Sequence, residues 1–354
     1  MGTRGKVESG KLKVKSLKFK VLSPEGHDYL TKSNFESGKF KVERMKEIIP
    51  PVETALLERE LEGHLLRPSN KADNLIYDIT SHECPNVMRE IARLREISYR
   101  AGGGATGNEM DIDDMDTMPK PYHQLIVWDP DNKQIIGGYR YLLGKDAEIR
   151  DGQPYITSAH LFKYSERFIK DYLPYAIEFG RAFVQPMYQK REMGVKALFA
   201  LDNIWDGIGA LVHDHPELRW MIGKVTIYPD YNASARALIY AYLSQYHRGE
   251  EGLFGPYLPL STNYMSDYPF QGEDKQENYH ILQRAVREQG TVIPPMFSAY
   301  LNLTNDLMFF GNAINDELAN VYETGIMVDI DTIYPEKKER YINPYVQWLA
   351  NGKK

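Results

Sequence analysis

Residues 176–212 read AIEFGRAFVQPMYQKREMGVKALFALDNIWDGIGALV, and the step from strand to helix inside them decides the fold. The first nine residues have strand character, yet Glu178 and Arg181 stand three apart. A flat strand points such a pair to opposite faces. Neither residue type is often buried without a partner. Either the strand is half exposed, or the backbone bends at Gly180, the residue best able to absorb a distortion, and brings both charges to one site. A basic turn with Lys190 and Arg191 follows, and a helix opens at Gly194. With Lys196 added, that helix N-terminus has the makings of a phosphate site through N–H groups and dipole.

The chain around this stretch alternates in the same way. Residues 53–65 and 86–100 carry apolar stripes at helical spacing (Leu56, Leu57, Leu61, Leu65; then Met88, Ile91, Leu94, Ile97). The glycine-rich run 101–107 ends the second helix and reads as a flexible lid. HQLIVWD (123–129) and KQIIGGYRYLL (133–143) flank a Pro-Asp-Asn turn as a hairpin. The helix 194–212 should bury Val195, Leu198, Leu201, Trp205, Ile208 and Leu211. Residues 221–229 follow as a strand, then a helix over 232–246 capped by Asp230 or Asn232. A long loop spans 252–277, helices lie near 276–288 and 295–304, and GIMVDIDTIY supplies a last strand. This order predicts a mixed α/β (α+β) domain over residues 48–343, between a leader (1–47) and a short tail (344–354).

Composition narrows the function classes. The 354 residues are 42% hydrophobic and 26% charged, ordinary for a globular protein. The formal charge of −6 argues against nucleic acid as a partner. One cysteine, Cys84, excludes an internal disulfide, fits a reducing cytoplasm, and reads as a small buried hydrophobe. No apolar run approaches the ~20 residues that span a bilayer, and the N-terminus lacks the apolar core of a signal peptide. Residues 1–20 hold six Lys and one Arg against one Glu. They are either a solvated, disordered leader or a means of attraction to an anionic membrane surface, placing a cytoplasmic protein on the inner face.

The acidic run EMDIDDMD (109–116) lacks the glycine that a Ca²⁺ loop needs at its sixth position, where Asp116 stands. It is a solvated turn or a carboxylate cluster paired with buried arginines, for which Arg95 and Arg140 are the candidates. Gly102–Gly104 lacks the Gly-Lys-Ser/Thr ending of a phosphate loop. His213 and His215 have no third ligand at usable spacing and read as surface residues. No nucleophile elbow is present.

These residues together resemble the GCN5-related N-acetyltransferase (GNAT) superfamily. Arg191-Glu-Met-Gly194-Val-Lys196 is similar to its pyrophosphate loop at two of three positions, with Lys196 where a small residue is usual. Asn232-Ala-Ser-Ala235-Arg-Ala-Leu238-Ile239-Tyr240 is similar to its later helix, with the aromatic displaced by one. The acyl-carrier-protein-dependent members resemble this chain more closely, through Leu94-Arg95-Glu-Ile-Ser-Tyr99, Asp113-Asp-Met-Asp116, Gly137-Gly-Tyr-Arg140 and Glu178-Phe-Gly-Arg181. Two families share that set, the acyl-homoserine-lactone synthases and the aminolipid N-acyltransferases also labelled hemolysins. IPPMFSAYLNL (293–303) and NAINDELANVYETGIMVDI (312–330) resemble the second.

The resemblance implies a GNAT-like central mixed, twisted sheet flanked by helices, with an N-terminal helical extension. It implies transfer of a (3-hydroxy)fatty acyl group from acyl carrier protein to the α-amine of glycine or ornithine. The co-substrate would be the phosphopantetheine of the carrier, or acyl-CoA, with no tightly bound cofactor and no metal. Glu178 would be the general base, directly or through a water, beside Arg181, and peptide N–H groups from Gly180 to Phe183 and Val184 would hold the thioester. Lys190, Arg191, Gly194 and Lys196 would meet the pantetheine phosphate and the acidic carrier, joined by Asn232 and by Tyr240, which stands near the place of the superfamily's general acid. Arg95, Tyr99, Asp113, Asp116, Arg140 and Arg181 would form an ion-pair network around the substrates. Two alternatives stay open: an acetyl-CoA-dependent acetyltransferase of a small amine, and a non-catalytic membrane-associated protein.

Overall fold

A computed structural model of the chain describes residues 45–260 and 270–352, and the statements that follow concern those residues. The basic leader lies outside them except for its last three residues. Eight strands form one sheet: β1 (Leu65–Pro68), β2 (Leu75–Ile79), β3 (His123–Asp129), β4 (Gln134–Leu143), β5 (Ala176–Val184), β6 (Trp220–Ile227), β7 (Met308–Asn315) and β8 (Val321–Asp329). Their order across the sheet is β1-β2-β3-β4-β5-β6-β8-β7. Every neighbouring pair is antiparallel except β5 and β6. The mixed α/β fold with a sheet between helices is therefore as the sequence predicts.

Strict alternation builds the two sides of the sheet. In β3, Leu125 and Val127 pack with the core of one face, while Ile126 and Trp128 pack with that of the other. Helices α1 (Thr54–Leu61) and α2 (Pro85–Gly102) cover the second face with Leu57, Leu61, Val87, Ile91 and Leu94. A one-turn helix, α3 (Asp114–Thr117), follows α2. Helices α4 (Gly194–Asp214), α5 (Ala233–Tyr246) and α6 (Lys275–Glu288) cover the first face. Burying Ile204, Trp205, Ile208 and Leu211 of α4 contributes roughly 1.5–3 kcal/mol per side chain. The thiol of Cys84 is buried as expected, and burial pushes its pKa up to about 12.

Several expectations need correction. Val195 and Leu198, placed inward by periodicity, are 57% and 74% exposed: the buried stretch of α4 begins only at Ala200. Residues 343–350, at the start of the C-terminal tail, form a helix whose Tyr345 is buried and hydrogen-bonds Asp214 at 2.8 Å. The short strands β1 and β2 and the long strand β7 carried no strand signal strong enough to be read. Gly102 and Gly104 are close-packing residues rather than lid hinges: a Cβ at Gly104 would lie 2.6 Å from the Tyr228 ring.

The distortion in β5 is real but is centred elsewhere. Gly138 of β4 faces Phe183, and Arg140 faces Gly180, so two steps on β4 oppose three on β5. This is a β-bulge. Its left-handed residue is Arg181, at φ +52°, not Gly180. Pairing of β5 with β6 runs from Ala176–Trp220 to Phe179–Gly223 and stops there, although both strands continue. Beyond that point they part.

Candidate active site

The gap between the diverging ends of β5 and β6 is a cleft of about 1110 Å³. Gly180, Arg181 and Ala182 line one wall, and Lys224 to Tyr228 line the other. Tyr99, the acidic segment Asp111–Asp114 and the loop residues Thr157 and His160 close it further.

The predicted ion-pair network is assembled on the β5 wall. Arg95, fully buried on α2, donates to Asp116 at 3.1 Å and to Gln124. Arg140 reaches Asp113 at 2.7 Å, Asp116 at 3.2 Å and the Thr157 hydroxyl at 3.0 Å, and its guanidinium lies 5.0 Å from the centre of the Tyr122 ring. Arg181 reaches Asp111 at 2.7 Å and Asp113 at 3.0 Å. The hydroxyl of Tyr99 donates to the Ala182 carbonyl at 3.2 Å, tying α2 to the bulge.

The segment folds this way because Asp113 caps α3. Its carboxylate accepts from the Met115 and Asp116 N–H groups, while Asp116 accepts from the Asp113 N–H. Burial works against the charge of Asp113, but Arg140, aided by Arg181, outweighs it and holds the carboxyl well below its ordinary range. Asp116 is likewise held low by Arg95 and Arg140 in spite of burial. Burial instead lifts the Asp111 carboxyl, against the pull of Arg181. Asp111 and Gln124 complete the network. The acidic run 109–116 pointed to such a cluster, Asp111 included, but not to Gln124.

Glu178 is buried at 2% exposure, and its carboxylate does not reach the cleft. It accepts from the Ser158 N–H at 2.8 Å, the Ser158 hydroxyl, the Thr157 N–H at 3.0 Å and the Tyr122 hydroxyl. Four donors fill the four acceptor positions of a carboxylate. A base must be within reach of the proton it takes, so the direct general-base role expected of Glu178 is not supported by its position. What it does hold is the loop Thr157–His160, whose Thr157 side chain lies beside Gly180.

The residues expected on the donor side are also redistributed. Lys190, Arg191 and Gly194 are exposed around the start of α4, outside the cleft. Lys196 is committed to Asp129 and, at 2.8 Å, to Asp131 in the β3–β4 turn. Phe183 packs under α2, and Val184 is partly buried against the opposite core. Asn232 caps α5 through the Ala235 N–H at 3.0 Å and donates to the Gln289 carbonyl. Tyr240 is 1% exposed within the core under α5, so it cannot meet a substrate in the cleft. Helical spacing placed an aromatic near the right position but one residue round the helix, facing inward.

The opposite wall carries a second polar group that the sequence did not advertise. Lys224 of β6 lies 3.2 Å from Glu323 of β8, which also accepts from Thr226 at 2.8 Å and Asn315 at 3.3 Å. Burial opposes the Glu323 charge, but Lys224 and these donors keep its pKa below the ordinary value. Among the described residues no group of His, Cys, Asp or Glu side chains is arranged to hold a metal ion.

Comparison with known proteins adds the family context. Residues 94–198 match the model of the acetyltransferase (GNAT) domain. A glycine N(alpha)-acyltransferase of Bacteroides thetaiotaomicron is 46% identical over 308 residues, covering 86% of this chain and 91% of that protein. One from Phocaeicola vulgatus is 44% identical over 308 residues, covering 86% and 94%. Among solved structures, the CoA-dependent acyl-homoserine lactone synthase BjaI aligns with 77% of the chain at 12% identity and a TM-score of 0.34, too distant a likeness to bear on mechanism.

Proposed function

The chain belongs to the GNAT-type N-acyltransferase family of these relatives, and from that premise we propose that it transfers a 3-hydroxyacyl group from acyl carrier protein to the α-amine of glycine. That it is an acyltransferase follows from the family. Glycine is favoured over ornithine because both relatives are glycine N(alpha)-acyltransferases.

The observation that carries the reading is the interrupted pairing of β5 and β6 beside the Arg140–Asp113–Arg181 wall. An acyl thioester laid in that gap meets the peptide groups of Gly180 to Ala182, which no longer pair with β6 and are available to polarise its carbonyl. The acceptor nitrogen attacks the thioester carbon, the C–N bond forms, the C–S bond breaks, and the sulfur leaves to be protonated. An α-ammonium must lose a proton before it attacks.

The exposed cations Lys190 and Arg191 at the start of α4, beside exposed Val195 and Leu198, suit an acidic carrier protein with an apolar contact. No helix among the described residues is long and apolar enough to cross a membrane. The lysine-rich residues 1–20 add an attraction to an anionic membrane surface, where the acylated product partitions, at about 1 kcal/mol per cation.

The test is product identification by mass spectrometry after incubating the protein with 3-hydroxypalmitoyl carrier protein and glycine. N-(3-hydroxypalmitoyl)glycine is expected. Acetylglycine from acetyl-CoA, with no product from the carrier protein, would favour the acetyltransferase reading instead.

A further inference from the structure

We infer that His160 is the general base of the transfer reaction, and that Glu178 serves it as a positioning residue. The inference rests on the N-acyltransferase reading and names the group that the reading still requires. His160 lines the cleft, with its ring open to the space a substrate would fill. Its Nδ1 lies 2.6 Å from the Thr157 carbonyl oxygen, which can only accept, so Nδ1 carries the proton. In the neutral ring the lone pair is then on Nε2.

The loop that presents the ring is fixed from behind. Glu178 binds the N–H groups of Thr157 and Ser158, and Arg140 donates to the Thr157 hydroxyl. Glu178 therefore acts on the cleft through the backbone that orients His160. This accounts for a buried, fully hydrogen-bonded carboxylate next to the site.

The other titratable groups of the cleft are poorly suited to take a proton. Asp113 is engaged by Arg140 and Arg181, and Glu323 by Lys224, Thr226 and Asn315. Asp111 keeps one oxygen without a partner, but its other oxygen is held by Arg181. Asp114, Asp230 and Glu317 are exposed at the rim. The groups facing His160 are Lys224 of β6, Glu323 of β8 and Glu317 of the β7–β8 turn. The ring is open on the cleft side only: the protein packed around the rest of it, with Lys224 beside it, lowers its pKa from the ordinary imidazole value against the smaller opposing pull of the Thr157 carbonyl and the two glutamates. A lowered pKa favours the neutral ring, the form that can accept a proton.

The proton count closes. The acceptor ammonium gives one proton to Nε2 and attacks as the amine. As the C–N bond forms and the C–S bond breaks, a second proton goes to the leaving sulfur. The imidazolium then returns its proton to water between turnovers.

The test uses the full-length His160→Asn variant, in which an amide nitrogen can still donate to the Thr157 carbonyl. Its kcat with glycine is expected to fall about 10²–10⁴-fold, with KM for the acyl carrier donor and the thermal midpoint unchanged. The acid limb of the kcat/KM profile, which the wild type should show on the low side of an ordinary imidazole, should disappear. With hydroxylamine at pH 7, an acceptor already largely unprotonated, the defect should shrink at least about tenfold, since the base has less to do. Wild-type turnover and pH profile in His160→Asn would overturn the assignment, as would an acid limb kept in that variant but lost in Asp111→Asn. Those outcomes leave the activity of the wild-type protein standing. Wild-type protein that acylates no amine would overturn the function and the assignment together.

Discussion

Arg181 holds Asp111 at 2.7 Å with its side chain while its own backbone, at φ +52°, makes the bulge that opens the sheet. A left-handed non-glycine residue costs about 1–2 kcal/mol. The ion pairs to Asp111 and Asp113 offset that cost. Arg181→Ala keeps the backbone strain and leaves Asp111 buried alone, so unfolding free energy from urea titration should fall by about 3–5 kcal/mol. Arg181→Gly loses the same pairs but relieves the strain, and should fall about 1–2 kcal/mol less. Equal losses for the two variants would mean that the bulge is not strained.

Glu178→Gln places an amide NH₂ against donors that now point at a carboxylate oxygen. Hydrogen bonds to a charged group contribute about 1.5–3 kcal/mol each, and both sides of this carboxylate are occupied. The variant should lose about 2–4 kcal/mol of stability in chemical denaturation and much of its turnover. The acid limb should keep its position if Glu178 positions rather than accepts. A limb abolished by Glu178→Gln with stability intact would restore the direct role.

Acid should weaken the fold through the network. Asp113, Asp116 and Asp129 are all held below their ordinary range. For Asp129, hydrogen bonds from Lys196, Asn132 and Tyr188 outweigh burial and bring it to about 2. A carboxyl with a depressed folded pKa contributes stability that is complete above its unfolded value, near 3.9, and is lost as pH falls through the folded value. Urea midpoints should therefore drop steadily from about pH 4 toward pH 2. Asp111, shifted upward, works in the opposite sense and is protonated first. Asp129→Asn should flatten the part of the decline between about 4 and 2. An unchanged slope would remove Asp129 from the account.

Carrier docking separates the cations of the basic turn. Lys190→Glu with Arg191→Glu should raise KM for acyl carrier protein about tenfold or more at low salt, leave kcat in place, and lose much of that effect at high salt. Lys196→Ala should instead lower the melting temperature with KM little changed, because Lys196 is spent on Asp129 and Asp131. A KM effect from Lys196→Ala equal to that of the double reversal would return this lysine to the docking surface.

Much of the fold was legible because its central elements are long and periodic: α2, α4, α5, β3, β4 and β5 appear close to where their apolar spacing placed them. The strands β1 and β2 are only 4 and 5 residues long, too short for alternation to mark. The arginines and aspartates of the site were legible because buried charges need partners. Glycine's freedom drew the bend to Gly180, but tertiary ion pairs carried it to Arg181. Tyr122, Ser158, His160 and the Lys224–Glu323 pair were not legible, since each becomes meaningful only when a loop or distant strand is brought to the cleft. Tyr240 shows the converse: a motif position in sequence that the helix turns into the core.

The central claim is amide formation from a carrier-bound acyl group in the gap between β5 and β6. Its most direct test is release of free thiol from 3-hydroxypalmitoyl carrier protein by purified enzyme, measured side by side with glycine, ornithine, serine and lysine. The account predicts release that depends on the acceptor, is strongest with glycine, and is matched one for one by N-acylglycine. Release with acetyl-CoA and none from the carrier protein, or release indifferent to any amine, would contradict it.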